Sequence, residues 1–400
     1  MTQRDIVIFL GAGFSSYAGL PVMSDFGQKS VDDYNGLKKH MSVSNRRDAA
    51  KMLIDAGDVF YEFQDYCRRS PTITSEDANN LETVFCIAEV MSEAGLETIR
   101  LKKMDYLTHE LVKDIKLWLW KIYQQCPMEN RKRKMVNPSQ KTRKEIYSNF
   151  FSLLDDNILS RTIFISTNYD LIFEYMSWKN GKICAYPGSV IPINIGCGTN
   201  YVCVNKDKLG SQLFLCKLHG SVNFFEDDSN ELYVAIDLAG DKYICKSRIA
   251  NDKPSIFAVD AIYKIRQDHP LLIPAIIPPT YAKLESKKWL KEIWYHAYKA
   301  ISTANTIVFI GYSMPPTDGF MRAMIHAALA SRIQTNMPNI FIIDPNPEVH
   351  KNYSELFGNS YQNIGRHTLE WALKTCTLKN ILKMARPVGR ESEAHPALRN

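Results

Sequence analysis

The sequence predicts an α/β fold: a doubly wound, Rossmann-like parallel sheet with a large helical insertion. Three observations predict it. A continuous apolar run, Ile6–Leu10, leads straight into the glycine turn Gly11-Ala12-Gly13, as a strand buried on both faces should. Further apolar runs stand at Thr162–Ser166, 212–218, Thr306–Ile310 and 340–343, separated by helical patterns. Strands alternating with helices on this scale mean a parallel sheet. Finally, more than a hundred residues after the first strand show helical spacing and few strand signals.

Composition narrows the class. In 400 residues, 45% hydrophobic and 23% charged content is ordinary for a globular chain. The net charge of +6 permits an acidic partner or nucleic acid without arguing for either. None of the nine cysteines forms a Cys-x-x-Cys pair, which argues against a disulfide framework and the common zinc spacings, so no metal is expected. Cys86 and Cys216 sit in apolar runs and read as packed thiols. No run of about 18 apolar residues suggests a membrane span, and no basic-then-apolar leader opens the chain. The expected setting is a reducing cytoplasm, away from membranes.

Taken in order, Gly11 and Gly13 permit a tight turn and close backbone approach to a ligand. Ser15 or Ser16 is expected to cap the next helix, whose start suits phosphate. The spacing is G-x-G-x-x-x-x-x-G, with Gly19 beyond the third glycine of the dehydrogenase fingerprint. Alone it leaves open a turn that binds nothing. Helices are expected over 47–69, from Asn79 or Asn80 through Leu81, Val84, Phe85, Ala88 and Met91, and over 101–123, the last apolar on more than one face. Residues 130–144 are strongly basic. Without interleaved aromatics to stack bases, they favour a solvated loop over a nucleic-acid surface.

A helix over 144–155 leads to the strand Thr162–Ser166. Residues 179–211 are rich in Gly, Asn and Pro, with short β signals at best. Small strands are expected at Leu232–Ile236 and 243–245, with a hairpin around 239–241, and an extended segment over 270–279. Helices over 286–304, 316–331 and Pro347–Phe357 complete the pattern. The expected division is 1–30 with 145–385 as the nucleotide-binding domain, 31–144 as the helical insertion, and 386–400 as a loose tail.

A doubly wound sheet binds ligands at the C-terminal ends of its strands. Those positions carry Gly11-Ala12-Gly13-Phe14-Ser15, Thr167-Asn168-Tyr169-Asp170, His219-Gly220-Ser221, Gly311-Tyr312-Ser313 and Asp344-Pro345-Asn346. Each has a purely structural reading: Asn168 and Asp170 as turn formers, His219 as a satisfied core histidine, Gly311 as a turn. Together, at the ligand edge, they point to a site.

These segments resemble the sirtuin (SIR2-like) superfamily. Gly11-Ala12-Gly13-Phe14-Ser15 with Ala18-Gly19-Leu20-Pro21 resembles its opening motif. Thr167-Asn168-Tyr169-Asp170 resembles its Gln-Asn-x-Asp motif, Leu218-His219-Gly220-Ser221 its His-Gly segment, and Gly311-Tyr312-Ser313 its nucleotide-binding Gly-Thr/Tyr-Ser. The order agrees, and the resemblance covers 1–30 and about 145–360, but not the insertion. Two departures matter. The four-cysteine zinc module of protein-deacylating sirtuins has no counterpart, Cys245 standing alone in that region. The first motif is interrupted by Val22-Met23-Ser24, with Gly27 in place of its arginine. The chain instead looks like the SIR2-like domains of bacterial anti-phage defence, which hydrolyse NAD⁺, replace the zinc module and carry helical insertions.

The resemblance implies NAD⁺ as substrate and cleavage of its nicotinamide–ribose bond to nicotinamide and ADP-ribose. Asn168 would bond the ribose or position water. Asp170 would hold a ribose hydroxyl, orient Asn168 or stabilise positive charge. His219 would be general base or ribose ligand. Gly11, Ala12, Gly13 and Ser15, with Gly311 and Ser313, would grip the pyrophosphate. Asp344, and less so Asn346, would take the adenosine ribose. An NAD⁺-dependent protein deacylase and a non-catalytic sensor of NAD⁺ or its derivatives are the alternatives. A homo-oligomer is expected, with subunit contacts on the part of the insertion around Leu117, Trp118, Leu119 and Trp120 that does not pack on the sheet domain. The resemblance further implies a HerA-type hexameric ATPase partner, with nucleic acid reached through it or through loop 131–144.

Overall fold

Ile6–Leu10 is strand β1, all five residues buried, at the centre of a parallel sheet. The computed structural model describes residues 4–20, 26–40, 47–102, 104–123, 140–187, 191–194, 202–203, 212–236, 272–278, 287–316, 318–330, 332, 337–358, 362–363 and 367–384. The hairpin expected at 239–241, the strand at 243–245, the loop 130–139 and the tail 386–400 lie outside them. The remaining strands are β2 (Thr98–Arg100), β3 (Asp105–Leu107), β4 (Thr162–Ser166), β5 (Ile183–Ala185), β6 (Ile191–Asn194), β7 (Val202–Cys203), β8 (Gln212–Lys217), β9 (Gly220–Glu226), β10 (Leu232–Ile236), β11 (Ile273–Ile276), β12 (Thr306–Ile310), β13 (Asn339–Ile343) and β14 (Gln362–Asn363).

Eight of these strands form one sheet in the order β14-β13-β12-β1-β4-β8-β5-β7, and every neighbouring pair in it is parallel. The fold is the Rossmann-like one expected. From β1 the chain builds outward through β4 and β8, then returns to β12 on the other side of β1. That reversal places a crevice outside the C-terminal ends of β1 and β12, where doubly wound sheets take their ligands. At the opposite end, Arg161 donates two hydrogen bonds to Asp5, at 2.9 and 2.6 Å. The Asp5 carbonyl also accepts from Asn305 and Thr306 N–H. The three central strands therefore start in register.

A second, mixed sheet, β11-β9-β10-β6, was not expected. Its strand β9 opens on a glycine and carries polar residues, so its sequence lacks a clean apolar run. The insertion also holds a short antiparallel hairpin, β2 with β3. The helix expected over 101–123 accordingly starts at Thr108. Likewise, the segment expected as one helix over 144–155 is Gln140–Ser152, followed by a separate turn of helix Asp156–Arg161 that Asp155 caps. Asn80 caps Leu81–Glu93, its side chain accepting from Glu82 and Thr83 N–H. Ser15 and Ser16 are not caps: the short helix Ala12–Ser16 starts earlier, with Gly11 at its N-cap and without a side-chain cap.

Helix Thr108–Tyr123 joins the insertion to the rest of the chain. Leu117, Trp118, Leu119 and Trp120 are all buried. The Trp118 indole donates to Ser30 Oγ at 3.0 Å and that of Trp120 to the Val222 carbonyl on β9 at 2.8 Å. The apolar row offered above for subunit contacts is thus taken up inside the chain. Beside it, buried Lys116 and the Lys287 ammonium meet the two oxygens of Glu226, on β9, at 2.9 and 2.6 Å. Burial alone would raise the Glu226 carboxyl. The two lysines outweigh it and hold the group below the usual glutamate value. Its contribution to stability is therefore present above the unfolded value of about 4.3 and lost as pH falls through the lower folded value. Glu226→Gln strands two lysines and is expected to cost about 3 kcal/mol at neutral pH. In urea unfolding, the gap to wild type should close as the pH is taken below that range.

Candidate active site

Two turns set the floor of the crevice. A Cβ at Gly13 would lie 2.7 Å from Gly311 Cα, and one at Gly311, where φ is +60°, would lie 2.6 Å from Gly13. Only glycines let the turns after β1 and β12 touch in this way. The Gly11 and Gly13 N–H groups are engaged there, bonding to the Ile310 and Gly311 carbonyls at 3.1 and 2.9 Å. These two glycines therefore hold the turns together, while Ala12 and Ser15 are the residues of the first turn that face the cleft.

The cleft is lined by Ala12, Ser15, Asn168, Asp170, His219, Gly311 and Ser313, all singled out from the sequence. Gly11, Gly13 and Asp344 are not on its wall. Asp344 stands one strand beyond β12, its carboxylate accepting from Asn346 N–H at 2.9 Å. Asn346 in turn caps helix Pro347–Phe357.

A part-buried chain of hydrogen bonds positions Asn168. Its amide nitrogen donates to the Gly11 carbonyl at 2.9 Å and to Ser15 Oγ at 3.0 Å. A carbonyl acceptor settles which end of the amide is nitrogen. Both N–H donors are engaged, so Oδ1 is the atom this side chain offers to a ligand. Ser15 Oγ in turn donates to Asp170 Oδ1 at 3.0 Å, which also accepts from Ile172 N–H at 2.9 Å. Burial raises the Asp170 carboxyl above its ordinary value, partly offset by Lys217. Buried Lys217 donates to the Asp170 carbonyl at 2.6 Å and lies 3.3 Å from Glu174, which also accepts from Tyr186 at 2.9 Å. Asp170 is thus linked to Asn168 through Ser15 and also lines the cleft.

His219 sits in the tight link between β8 and β9. Gly220 has φ +76°, and a Cβ there would stand 1.8 Å from the Ala275 carbonyl. The backbone is fixed on both sides, the Leu218 carbonyl accepting from the Trp294 indole and the His219 carbonyl from Ile277 N–H, each at 2.9 Å. The ring lies between Tyr169 and Trp294, at centroid distances of 6.4 and 6.3 Å. Its Nε2 is 3.5 Å from Asp318 Oδ2, which also accepts from Tyr312 at 2.5 Å. Burial would raise the Asp318 carboxyl, but the bonds from His219 and Tyr312 outweigh it and leave it lowered.

Sequence reasoning missed Asp318, Glu82 and Tyr123, all on the cleft wall. Asp318 had a signal: it is an acidic residue just before the helix that follows a strand end, easily taken for a cap. Its Oδ1 does accept from Met321 N–H, at 3.4 Å. Glu82 and Tyr123 come from the insertion, and no local pattern brings them here. Among the described residues, no group of three or more His, Cys, Asp or Glu is placed to hold a metal, and no helix is long and apolar enough to cross a membrane.

The parallel sheet, the glycine-lined crevice at its reversal point and the asparagine–histidine pair define a nucleotide-handling α/β protein with acid–base groups at its ligand edge. The family model of the SIR2-like domain matches residues 162–363, half of the chain. The protein belongs to the SIR2-like family, and with it goes NAD⁺-dependent, sirtuin-type activity in general terms. Among curated proteins, none matches the chain.

Lys217 is the buried cation on which the Asp170–Ser15–Asn168 chain leans. Lys217→Met leaves Glu174 without its counter-charge and the Asp170 carbonyl without its donor. It is expected to lower stability by about 3 kcal/mol, read by urea unfolding.

Proposed function

We propose that this chain is an NAD⁺ hydrolase, cleaving the nicotinamide–ribose bond to give nicotinamide and ADP-ribose. The observation that carries the reading is the convergence of Asn168, His219 and Asp318 in one cleft at the sheet's reversal point. Breaking this bond builds positive charge on the ribose while a cationic nicotinamide leaves as a neutral ring. The cleft suits that change, since carboxylates face it and Asn168 presents an acceptor oxygen. Asn168 Oδ1 accepts from a ribose hydroxyl and so fixes the reacting sugar. With Asp318 beside Nε2, that nitrogen carries the proton in the neutral His219 ring, leaving the other as the acceptor for a ribose hydroxyl. Asp170 keeps Asn168 in place through Ser15.

The hydrolase reading is favoured over a deacylase by the sequence departures at the zinc module and in the first motif. A defence role is what the resemblance suggests, and an enzyme that drains NAD⁺ harms its own cell and so needs a gate. Self-assembly and a HerA-type ATPase partner are the gates suggested by the resemblance.

Incubation with NAD⁺, with and without an acylated peptide, tests the proposal. Nicotinamide release without peptide supports it, peptide-dependent release makes the protein a deacylase, and binding without release makes it a sensor. Asn168→Ala is expected to cut nicotinamide release by about 10²-fold or more with the circular dichroism spectrum unchanged. Near-normal turnover by the folded variant would remove Asn168 from the mechanism. His219→Ala should lower kcat by about 10²-fold, and an effect confined to KM would make it a binding residue only.

A further inference from the structure

Glu82 comes from the helical insertion, 80 positions before the matched family region begins, yet it lines the same cleft as Asn168 and His219. It is held there rigidly. Asn80 caps its helix at Glu82 and Thr83 N–H, at 3.0 and 3.2 Å. Leu81, Val84, Phe85 and Ala88 bury the other face of that helix. Among the described residues, nothing donates a hydrogen bond to the Glu82 carboxylate. The groups whose charges reach it are His219 and Asp318, and Tyr123, Tyr169 and Tyr312. These come from the β8–β9 link, the start of helix Gly319–Ala330, the end of helix Thr108–Tyr123, and the turns after β4 and β12.

Of the carboxylates on the cleft wall, Asp318 receives the bonds of His219 and Tyr312, and Asp170 receives those of Ser15 and Ile172 on Oδ1. The free nitrogen of His219 is given to a ribose hydroxyl. Glu82 is left as the cleft carboxylate to which no described residue donates a hydrogen bond. Resting on the NAD⁺ hydrolase reading, we propose that Glu82 is the general base of hydrolysis, a catalytic residue delivered by the insertion. The proton of the attacking water passes to the Glu82 carboxylate as the water oxygen bonds to C1′ of the ribose. The C1′–N bond breaks, and its electron pair goes to the nicotinamide ring nitrogen, cancelling that ring's positive charge. Burial raises the Glu82 carboxyl, His219 opposes the rise and Asp318 adds to it. A raised carboxyl is a better base near neutrality than an ordinary one.

The test measures nicotinamide release by wild type, Glu82→Gln and Glu82→Ala, each checked by circular dichroism, as a function of pH. Glu82→Gln is expected to lower kcat by about 10²-fold or more with KM changed less than about threefold. The acidic limb of the wild-type kcat profile, centred above the ordinary glutamate value of about 4.3, should disappear with it. Added formate should restore part of the rate to Glu82→Ala. A folded Glu82→Gln with wild-type kcat and an intact acidic limb overturns the proposal. So does a loss in Glu82→Ala confined to KM and indifferent to formate. If neither variant folds, a wild-type profile without an acidic limb overturns it. Wild type that releases no nicotinamide is a separate result: it sinks the hydrolase reading itself, and the role of Glu82 with it.

Discussion

The contact between the turns after β1 and β12 is the constraint on which the cleft depends. Two neighbouring parallel strands end side by side, and their turns must occupy the same small space. Glycine at 13 and 311 removes the side chains that would otherwise meet there, at under 3 Å. The closeness has a chemical consequence. It brings the Gly11 carbonyl to where the Asn168 amide can use it as an acceptor, and that bond turns Asn168 Oδ1 into the free end. A packing requirement at the sheet's centre thus becomes the orientation of a side chain at its edge.

How much of this was legible in the sequence follows from the range of the forces involved. The central strands were readable because a strand buried on both faces is a continuous apolar run, and β1, β4 and β12 coincide with theirs. Helix Pro347–Phe357 was readable from its Asn-Pro start. The second sheet was not, because β9 breaks its apolar residues with Ser221, Asn223 and Glu226 and is defined by its partners β10 and β11. The roles of Gly11 and Gly13 were only half legible. Their lack of a Cβ was readable, but that their N–H groups serve β12 and its turn is a fact about a strand some 300 residues away. Asn168, Asp170 and His219 were visible as strand-end residues. Asp318 and Glu82 were not, since Asp318 reads as a helix cap and Glu82 as an ordinary acidic residue of a first turn.

The insertion's hold on the sheet domain explains how a distant segment can supply part of the cleft. Helix Thr108–Tyr123 is apolar around most of its circumference, so it must be covered on more than one side. The insertion's own helices cover part of it, and the second sheet covers the rest. Lys116, Glu226 and Lys287 then fix its position along β9, because a buried ion triad tolerates little displacement once formed. With that helix fixed, Leu81–Glu93, packed on it, has no freedom to withdraw Glu82 from the cleft. Side chains that act on a reacting atom need this kind of support from a rigid element.

The carboxylates of the cleft are also driven apart in proton affinity. Asp318 is lowered because two donors bond to its charged form, whereas Glu82 and Asp170 are raised because burial is the larger effect on them. Groups separated in this way can share a small cleft without taking the same role. Asp318 stays charged behind His219. Asp170, shielded by Ser15 and Lys217, works through its hydrogen bonds. Glu82 keeps both a face on the cleft and a raised carboxyl. The insertion therefore adds to the sheet domain's own strand ends a cleft carboxylate to which no described residue donates a hydrogen bond.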